Sequence, residues 1–575
     1  MTSPALAFLQ EVQDTYLPAW FGPKPASPFL DYGLTHSISE ASGIPEPSLR
    51  LLLTILAGYP IAIVYRLIFL NKTSSIIGQS ARNSFFLATG LLLSYYFNSF
   101  DIIHPLTTAI GTWLICRVVA AASPKNRALA SSVSFLFNFG YLLTSYKYAA
   151  TEGYDICYTM QQCVQCLRMI GYGMDFMDGQ PKSASKKKDA IAAEALATLV
   201  EEKKAIAHVA KTDQGPATVT VAPAPAAVTS ARDTTPISFG RDIALAELPS
   251  LAETLAYAFF PFAFLVGPQF SFSLYKKFIS MELFSVAMPA SAGQDQVREA
   301  AAATANGIPQ GSLRYATRCF SLGVFYLGLG QVLGGYFPTA ALLGKAFLER
   351  SFLERVFIFW WTGKTVLNKY LGIWTIGEGP CVLSGITFNG YDAQGKPEWD
   401  GLRNVNPLNY EFATSLTQIV TSFNMNTNFW AKLYIFKRLR FLGNKNLSAL
   451  GVLLFLAIWH GTHVGYFFCF GLEFMDMETE RRMSVRFGRP INAFIARQTG
   501  VAHAVIKAAW GVVTWLLTTS ALYFAAVPFD LLQLDKSLAA VRSINYLGIY
   551  VMLGLLFLDI VLSVVMPKKR KAKTE

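Results

Sequence analysis

The sequence predicts an all-α, polytopic membrane protein with about eleven transmembrane helices. Hydrophobic residues make up 53% of its 575 residues and charged residues only 15%, whereas roughly 25% of the residues in an ordinary soluble domain are charged. The apolar residues are gathered into runs close to the roughly 20 residues that a helix needs to cross the hydrocarbon core of a bilayer. We therefore expect most of the chain to form one helical bundle rather than several soluble domains.

The N-terminal part of the chain contains an interfacial segment followed by five apolar runs. In residues 1–48, Trp20 and Phe21 stand among prolines, which is typical of a segment at the membrane interface. No lysine or arginine precedes Lys24, so we expect the first spanning helix, rather than a cleavable signal peptide, to direct the chain to the membrane. Residues 49–178 are predicted to form the first transmembrane group. Its apolar runs cover residues 51–70, 84–97, 103–121, 129–148 and 157–176.

Residues 179–247 differ in composition from the rest of the chain. They include Lys186, Lys187 and Lys188, an alanine-rich piece and the string VAPAPAAVTS. Such a low-complexity segment cannot bury a hydrophobic core, so we predict a mobile loop. Its lysines favour a cytosolic position. We assign it no catalytic role, and regulation or contact with the membrane surface is left open.

Residues 248–566 are predicted to form a second, larger transmembrane core. Within it, residues 378–406 contain too many glycines and prolines for one long helix, so we expect re-entrant or surface structure there. The apolar runs of this core cover residues 248–272, 319–347, 356–376, 446–472, 501–527 and 544–566.

The net charge of +12 could indicate nucleic-acid binding, but the distribution of the basic residues argues against it. They form clusters beside apolar runs, as in the cytoplasmic loops of membrane proteins, and we expect no nucleic-acid partner. The basic tail at residues 567–575 is predicted to be cytosolic. Its Lys571 and Lys573 resemble a dilysine retrieval signal of endoplasmic reticulum membrane proteins, which coat proteins would recognise. A plain stop-transfer cluster would give the same orientation.

Neither the cysteines nor the histidines indicate a metal site. Cys163 and Cys166 have the spacing of zinc ligands but lack the second pair that a zinc site needs. Of the six histidines only His460 and His463 are clustered, which is too few for the ligand set of a membrane di-iron enzyme. We therefore expect no bound metal.

His460 is the most informative single residue. It lies midway between Lys445 and Glu473, an interval that contains no other lysine, arginine, aspartate or glutamate. An ionisable side chain at membrane depth is energetically unfavourable, so by default it indicates a functional site. The alternative is a structural histidine that hydrogen-bonds to a neighbouring helix. If the interval is one helix, His463 follows one turn later on the same face.

Small and polar residues beside His460 favour the functional interpretation. Gly461 and Gly465 lie four positions apart, where another helix or a long ligand could approach closely, although ordinary helix packing would explain them as well. Upstream, Asn424, Thr427 and Trp430 would share one face of a helix, which brings an amide, a hydroxyl and an indole together.

The residues around His460 also carry a resemblance to a known family. The string Trp459-His460-Gly461-x-x-x-Gly465-Tyr466-x-x-x-Phe470 resembles the signature of membrane-bound O-acyltransferases. The resemblance is to the lysophospholipid acyltransferase branch of that family. Asn424, 36 positions before His460, is similar to the asparagine partner of that family's catalytic histidine. The pair Trp399-Asp400 and the string GPQFSF, Gly267 to Phe272, resemble further motifs of the branch. The resemblance covers about Leu49 to Met566 apart from the insertion.

The resemblance implies the fold of that family, which encloses a reaction chamber, with residues 248–566 as the catalytic core. It implies transfer of a fatty acyl group from acyl-CoA, as co-substrate, to the free hydroxyl of a lysophospholipid, mainly at sn-2. His460 is then the general base, because a neutral imidazole can draw the proton from a hydroxyl. Asn424 either stabilises the oxyanion or orients a substrate. His463 is an alternative base, and Cys469 and Thr462 stay open as acyl-enzyme nucleophiles, although direct transfer is favoured.

Two further groups of residues are expected to bind substrates. A basic group just after Asn424 could hold the phosphates of coenzyme A, or alternatively anchor the chain to anionic headgroups. A separate group of residues is expected to bind substrate. Its members are Trp399, Asp400, Thr427, Trp430, Trp459, His463 and Tyr466. The basic group is Lys432, Lys437, Arg438, Arg440 and Lys445. We expect no tightly bound cofactor, and a homodimer is a further predicted partnership.

Two other functions compete with this interpretation. One is acyl transfer to a sterol, a diacylglycerol or a protein within the same superfamily. The sterol and diacylglycerol branches carry a motif like FYxDWWN that is absent here, and Trp399-Asp400 favours phospholipid acceptors. The other is a membrane transporter, which would more often show internal repeats with matching broken helices. We find no clear internal repeat in this sequence.

Overall fold

The computed structural model describes residues 10–22, 33–70, 78–123, 126–151, 153–180, 237–240, 242–285 and 308–565. Within these ranges the regular elements are helices, and eleven α-helices have 16 residues or more. They are α1 Glu46–Phe69, α2 Gln79–Asn98, α3 Ile103–Ala122, α4 Arg127–Ala149, α5 Tyr158–Asp178, α6 Ser312–Tyr336, α7 Phe352–Ser384, α8 Lys445–His460, α9 Val464–Met483, α10 Gly500–Leu531 and α11 Leu547–Val565. The fold is therefore all-α, as the sequence predicts.

Shorter helical elements connect the long helices. The short α-helices are Leu17–Phe21, Leu34–Ser42, Leu251–Ala258, Phe272–Ile279, Lys345–Leu348, Pro407–Glu411, Leu416–Val420, Met425–Ala431, Arg489–Ile495 and Leu534–Ser543. The 3-10 segments are Ser99–Ile102, Ile237–Phe239, Glu282–Phe284, Thr339–Leu343 and Arg438–Leu442, and the π-helical turns are Val12–Tyr16, Lys432–Phe436 and Ser484–Gly488. The long helices form one bundle in which α7 packs against α1, α6 and α10, and α4 packs against α5.

Six helical spans in the described ranges are long and apolar enough to cross a membrane. A multi-pass membrane protein is therefore confirmed, but the predicted count of about eleven is not established by length and composition. Helix α5 shows why some helices fall outside the count. It is buried along most of its length, and its polar residues Gln161, Gln165 and Arg168 face protein instead of lipid. Gln165 Nε2, for example, donates to the carbonyl of Pro105 at 2.5 Å.

The predicted span at residues 248–272 is wrong. Only Leu251–Ala258 is helical there, and turns follow until the next short helix begins at Phe272. Pro261 cannot donate a backbone hydrogen bond, and Gly267 takes a left-handed φ of +85°. Because the side chains of this segment are packed inside the protein, its irregular backbone is shielded from lipid.

Arg168 of α5 supplies hydrogen bonds to this irregular segment. Its guanidinium is 1% exposed and donates to the carbonyl oxygens of Tyr257 and Ala258 at 3.2 Å. It also donates to those of Ala263 at 2.8 Å and Pro268 at 3.4 Å. These bonds provide donors that a helix would otherwise supply, so one side chain joins the segment to the bundle.

The prediction for residues 378–406 is wrong at its start, because α7 continues through Ser384. Pro380 lies inside this helix and has no N–H for the carbonyl of Ile376, four residues earlier. The hydroxyl of Tyr59 on α1 donates to that carbonyl at 2.8 Å instead. The helix ends at Ser384, and the next residue, Gly385, has a φ of +98°. A donor from another helix thus replaces the one that proline removes.

Three predicted segments lie partly or wholly outside the described residues. Most of the insertion, residues 181–236 and 241, and the whole predicted tail, residues 567–575 with Lys571 and Lys573, are outside, so the predictions for them stay predictions. In the N-terminal segment, Trp20 is exposed whereas Phe21 is buried, with its ring stacked 5.7 Å from that of His104. Phe21 therefore packs inside the protein.

Candidate active site

A cavity of about 180 Å³ lies within the helical bundle. Helices α4, α5, α7, α8, α9 and α10 and the irregular segment before Phe272 contribute to its wall. The predicted site residues in the wall are Asn424, Thr427, Trp459, His460, His463 and Tyr466. Other wall residues are Tyr146, Tyr154, Asp155, Thr159, Cys163, Val266, Gln269, Tyr370, Trp374, Asn404 and Phe529.

His460 is the last residue of α8, where the chain changes direction. The following Gly461 has a φ of +141°, which a residue with a Cβ rarely adopts, and α9 begins only at Val464. The expectation that His463 and Gly465 continue the same helix is therefore wrong. His463 still lines the cavity, but from the turn between two helices.

Aromatic rings surround the imidazole of His460. The ring centroids of Phe529, Phe470 and Tyr466 lie 5.1, 5.5 and 5.7 Å from that of His460. Among the described residues, neither imidazole nitrogen has a hydrogen-bond partner, so both are available to a molecule in the cavity. These apolar surroundings favour the neutral imidazole over the charged form, and a neutral imidazole can accept a proton.

The end of α8 is held in place by contacts with two other helices. Trp459 Nε1 donates to the carbonyl of Cys163 on α5 at 2.9 Å. The hydroxyl of Tyr146 on α4 donates to the carbonyl of Trp459 at 2.8 Å. Because these bonds fix the residue directly before His460, they fix the position of the imidazole at the cavity wall.

Asn424 faces the same cavity from the start of the short helix Met425–Ala431. It adopts the left-handed conformation, with φ 48° and ψ 44°, which asparagine tolerates better than most residues. Its side-chain Oδ1 accepts a hydrogen bond from Nδ2 of Asn404 at 3.3 Å. The structure therefore brings the imidazole of His460 and the amide of Asn424 to one chamber.

Comparison with known proteins identifies the family. A family model described as "MBOAT, membrane-bound O-acyltransferase family" matches residues 142–521. This chain belongs to the membrane-bound O-acyltransferase family. The similar proteins include "Lysophospholipid acyltransferase 5" of Homo sapiens, 31% identical over 94% of both chains, and that of Bos taurus, 32% identical over 95% of both chains. The protein of the same name from Drosophila melanogaster is 32% identical over 79% of this chain and 75% of its own.

Membership of the membrane-bound O-acyltransferase family makes this protein an acyltransferase. His460 and Asn424, which the sequence predicts to be the catalytic pair, both line the cavity described above. Their catalytic role stays a prediction. In the described ranges, no three His, Cys, Asp or Glu side chains lie close enough together to hold a metal ion. The predicted absence of a metal stays a prediction.

Three residues predicted to bind substrate lie outside the cavity wall. Trp430 is buried against Tyr434 and Phe455. Trp399 is 3% exposed, and its Nε1 donates to the carbonyl of Gln310 at 3.0 Å. Asp400 accepts a hydrogen bond from Asn389 at 3.0 Å. A role of these three residues in binding substrate stays a prediction.

The basic residues predicted to bind coenzyme A phosphates also lie outside the wall. Four of them lie between the short helix of Asn424 and α8, in or beside a π-helical turn and a 3-10 segment, and Lys445 is the first residue of α8. Arg438 pairs with Asp178 at the end of α5, with 2.7 Å between Nη2 and Oδ2. The other members are Lys432, Lys437, Arg440 and Lys445. Their role stays a prediction.

The structure adds residues to the site that the sequence did not single out. Asn404 lies in the string after Trp399-Asp400. It is 20 positions before Asn424, and this separation in the sequence does not indicate that the two side chains meet. Gln269 belongs to the GPQFSF string, and its Nε2 donates to the carbonyl of Val164 at 2.8 Å. Phe529 lies near the end of α10, and no motif or spacing in the sequence indicates that it lines the cavity.

Gly465 is expected to tolerate no larger residue, because α9 touches the end of α10 there. A Cβ at this position would lie 2.3 Å from the carbonyl oxygen of Pro528 and 2.7 Å from that of Leu532. We expect Gly465→Ala to destabilise the protein by about 1–3 kcal/mol, measured as a lower unfolding temperature in detergent. The control is Gly471→Ala on the same helix, where nothing lies within 4 Å. Equal unfolding temperatures of the two variants would contradict the prediction.

Proposed function

We propose that this protein transfers a fatty acyl group from acyl-CoA to the free hydroxyl of a lysophospholipid, mainly at sn-2. The observation that carries the proposal is that His460 and Asn424 line one cavity in a member of the membrane-bound O-acyltransferase family. The relatives named lysophospholipid acyltransferase, which match most of the chain, support this choice of acceptor.

His460 acts as the general base in this proposal. The lipid hydroxyl oxygen attacks the carbonyl carbon of the thioester while its proton passes to the imidazole. The tetrahedral intermediate then collapses, the carbon–sulfur bond breaks, and the imidazolium returns the proton to the leaving coenzyme A sulfur. The products are a diacyl phospholipid and free coenzyme A. Base assistance of this kind typically accelerates a reaction by about 10²- to 10⁴-fold.

Asn424 supplies polar contact to the reacting atoms. The thioester oxygen gains negative charge in the tetrahedral intermediate, and one fixed donor aimed at such an oxygen typically contributes about 3 kcal/mol. The amide of Asn424 could instead hold the lipid hydroxyl. Both roles require the amide to face the cavity, which its place in the wall supports.

The protein's location and partners are proposed from the sequence signals. We propose the endoplasmic reticulum membrane, with the C-terminal tail in the cytosol and Lys571 and Lys573 recognised by coat proteins. The basic group between Lys432 and Lys445 is proposed to hold coenzyme A phosphates at a cytosolic mouth. A homodimer is also proposed, and the insertion is given no catalytic part.

Release of free coenzyme A by the purified full chain tests the proposed function. We expect release when acyl-CoA and a lysophospholipid are both present, and we expect a diacyl phospholipid of the same headgroup, which lacks the free hydroxyl, to give none. Mass spectrometry of the lipid product identifies the acylated position. Transfer only to a sterol, a diacylglycerol or a peptide would contradict the proposed acceptor. A panel of headgroups and acyl chains then defines the specificity.

A further inference from the structure

Three asparagine side chains beside the cavity hydrogen-bond in series. Asn426 Nδ2 donates to the carbonyl oxygens of Leu402 and Arg403, each at 3.1 Å. The backbone N–H of Asn426 donates to Oδ1 of Asn404 at 3.2 Å. Since a backbone N–H can only donate, the side-chain amide of Asn404 must turn its oxygen, Oδ1, toward Asn426. The orientation of the Asn404 amide is thereby fixed by the main chain.

The orientation of Asn404 determines that of Asn424. With its oxygen facing Asn426, Asn404 has only its NH₂ group to offer Asn424, and Nδ2 lies 3.3 Å from Oδ1 of Asn424. The reverse orientation of Asn424 would place two NH₂ groups against each other, and neither could accept. In the part of the chain that the structure describes, Nδ2 of Asn424 has no partner, and the residue lines the cavity.

We propose that Asn404 is a positioning residue, which turns the amide of Asn424 so that its NH₂ group faces the reacting thioester. This inference rests on the proposed function. A donor at that place stabilises the negative charge of the intermediate, whereas a carbonyl oxygen there would repel it. Asn404 is 3% exposed, and its backbone carbonyl accepts the N–H of Met425 at 2.9 Å, so it also holds the turn at Asn424.

Asn404→Asp tests the proposal because it removes one hydrogen bond of the series and keeps the other. The carboxylate can still accept from the N–H of Asn426 but cannot donate to Asn424, which would then turn its NH₂ away from the cavity. We expect kcat to fall by about 100-fold with little change in KM. Asn424→Asp, which keeps the acceptor and removes the donor, is expected to show a similar loss. Asn409→Asp, on an exposed residue, is the matched control with unchanged kcat.

A double-mutant cycle separates positioning from general disturbance. In the Asn424→Ala background, Asn404→Asp is expected to change kcat by less than about twofold, because the group through which it acts is gone. An equal loss in both backgrounds would overturn the proposal, as would full activity of Asn404→Asp or Asn424→Asp. If Asn404→Asp does not accumulate as folded protein, Asn404→Ala is taken through the same cycle. Failure of the proposed function itself would appear differently, as an inactive wild-type protein.

Discussion

Replacing His460 by glutamine is expected to lower kcat by about 10²- to 10⁴-fold, the usual contribution of a general base, with KM nearly unchanged. Glutamine has a similar length and keeps a polar group at the end of α8, but it cannot take up a proton at neutral pH. The aromatic rings of Phe529 and Phe470 beside His460 remain, so the cavity should keep its shape. The measurement is the initial rate of coenzyme A release with saturating acyl-CoA and lysophospholipid.

Two other histidines make the experiment specific. His503→Gln is the matched control, because His503 lies on α10, outside the cavity wall, where its Nδ1 contacts the carbonyl of Ile495. His463 lines the cavity from the turn after α8, and His463→Gln is expected to lower kcat far less than His460→Gln. If His463→Gln abolishes activity and His460→Gln does not, His463 is the base instead. Unchanged turnover in both variants would remove imidazole catalysis from the mechanism.

The choice of candidate residues came from the sequence, but their arrangement did not. His460 and Asn424 stood out because an ionisable residue in an apolar run is rare and because a family motif surrounds it. The break after His460 was missed, since a glycine inside an apolar run is equally compatible with a continuous helix. Asn404 was missed for a different reason, because hydrogen bonds between loops leave no periodic pattern in a sequence.

The same limit explains the errors in the fold. Apolar composition distinguishes membrane or buried residues from water-exposed ones, but it does not tell a helix in lipid from an irregular segment inside the protein. Residues 248–272 are apolar because they are buried, and four of their carbonyl oxygens accept hydrogen bonds from Arg168, which precedes them by about 90 to 100 positions. Likewise, the sequence around Pro380 contains no sign that Tyr59 replaces the missing donor. Local sequence cannot report a hydrogen bond that another helix supplies.

Arg168→Leu is accordingly expected to have the largest effect on stability. The leucine would leave four buried carbonyl oxygens without the donor that now reaches them. The carbonyl of Tyr257 would keep the backbone N–H of Phe260 as a donor at 3.3 Å, so the carbonyls of Ala258, Ala263 and Pro268 would be left unsatisfied. An unsatisfied buried polar group costs about 1–3 kcal/mol, so these three would cost at least about 3 kcal/mol unless the segment rearranges. The guanidinium also lies 4.9 Å from the ring centroid of Phe270, and this contact would be lost as well. We expect little monodisperse protein, or a much lower unfolding temperature in detergent.

A graded series distinguishes the loss of these donors from the loss of a charge. Arg168→Lys keeps the positive charge but has three donors on one nitrogen, which cannot span four carbonyls, so an intermediate unfolding temperature is expected. Arg497→Leu, on an exposed arginine, is the control and should unfold like the wild type. Since Gln269 and Val266 of the cavity wall belong to the segment that Arg168 holds, activity should fall together with stability across the series. A leucine variant with the wild-type unfolding temperature would show that the irregular segment does not depend on the guanidinium.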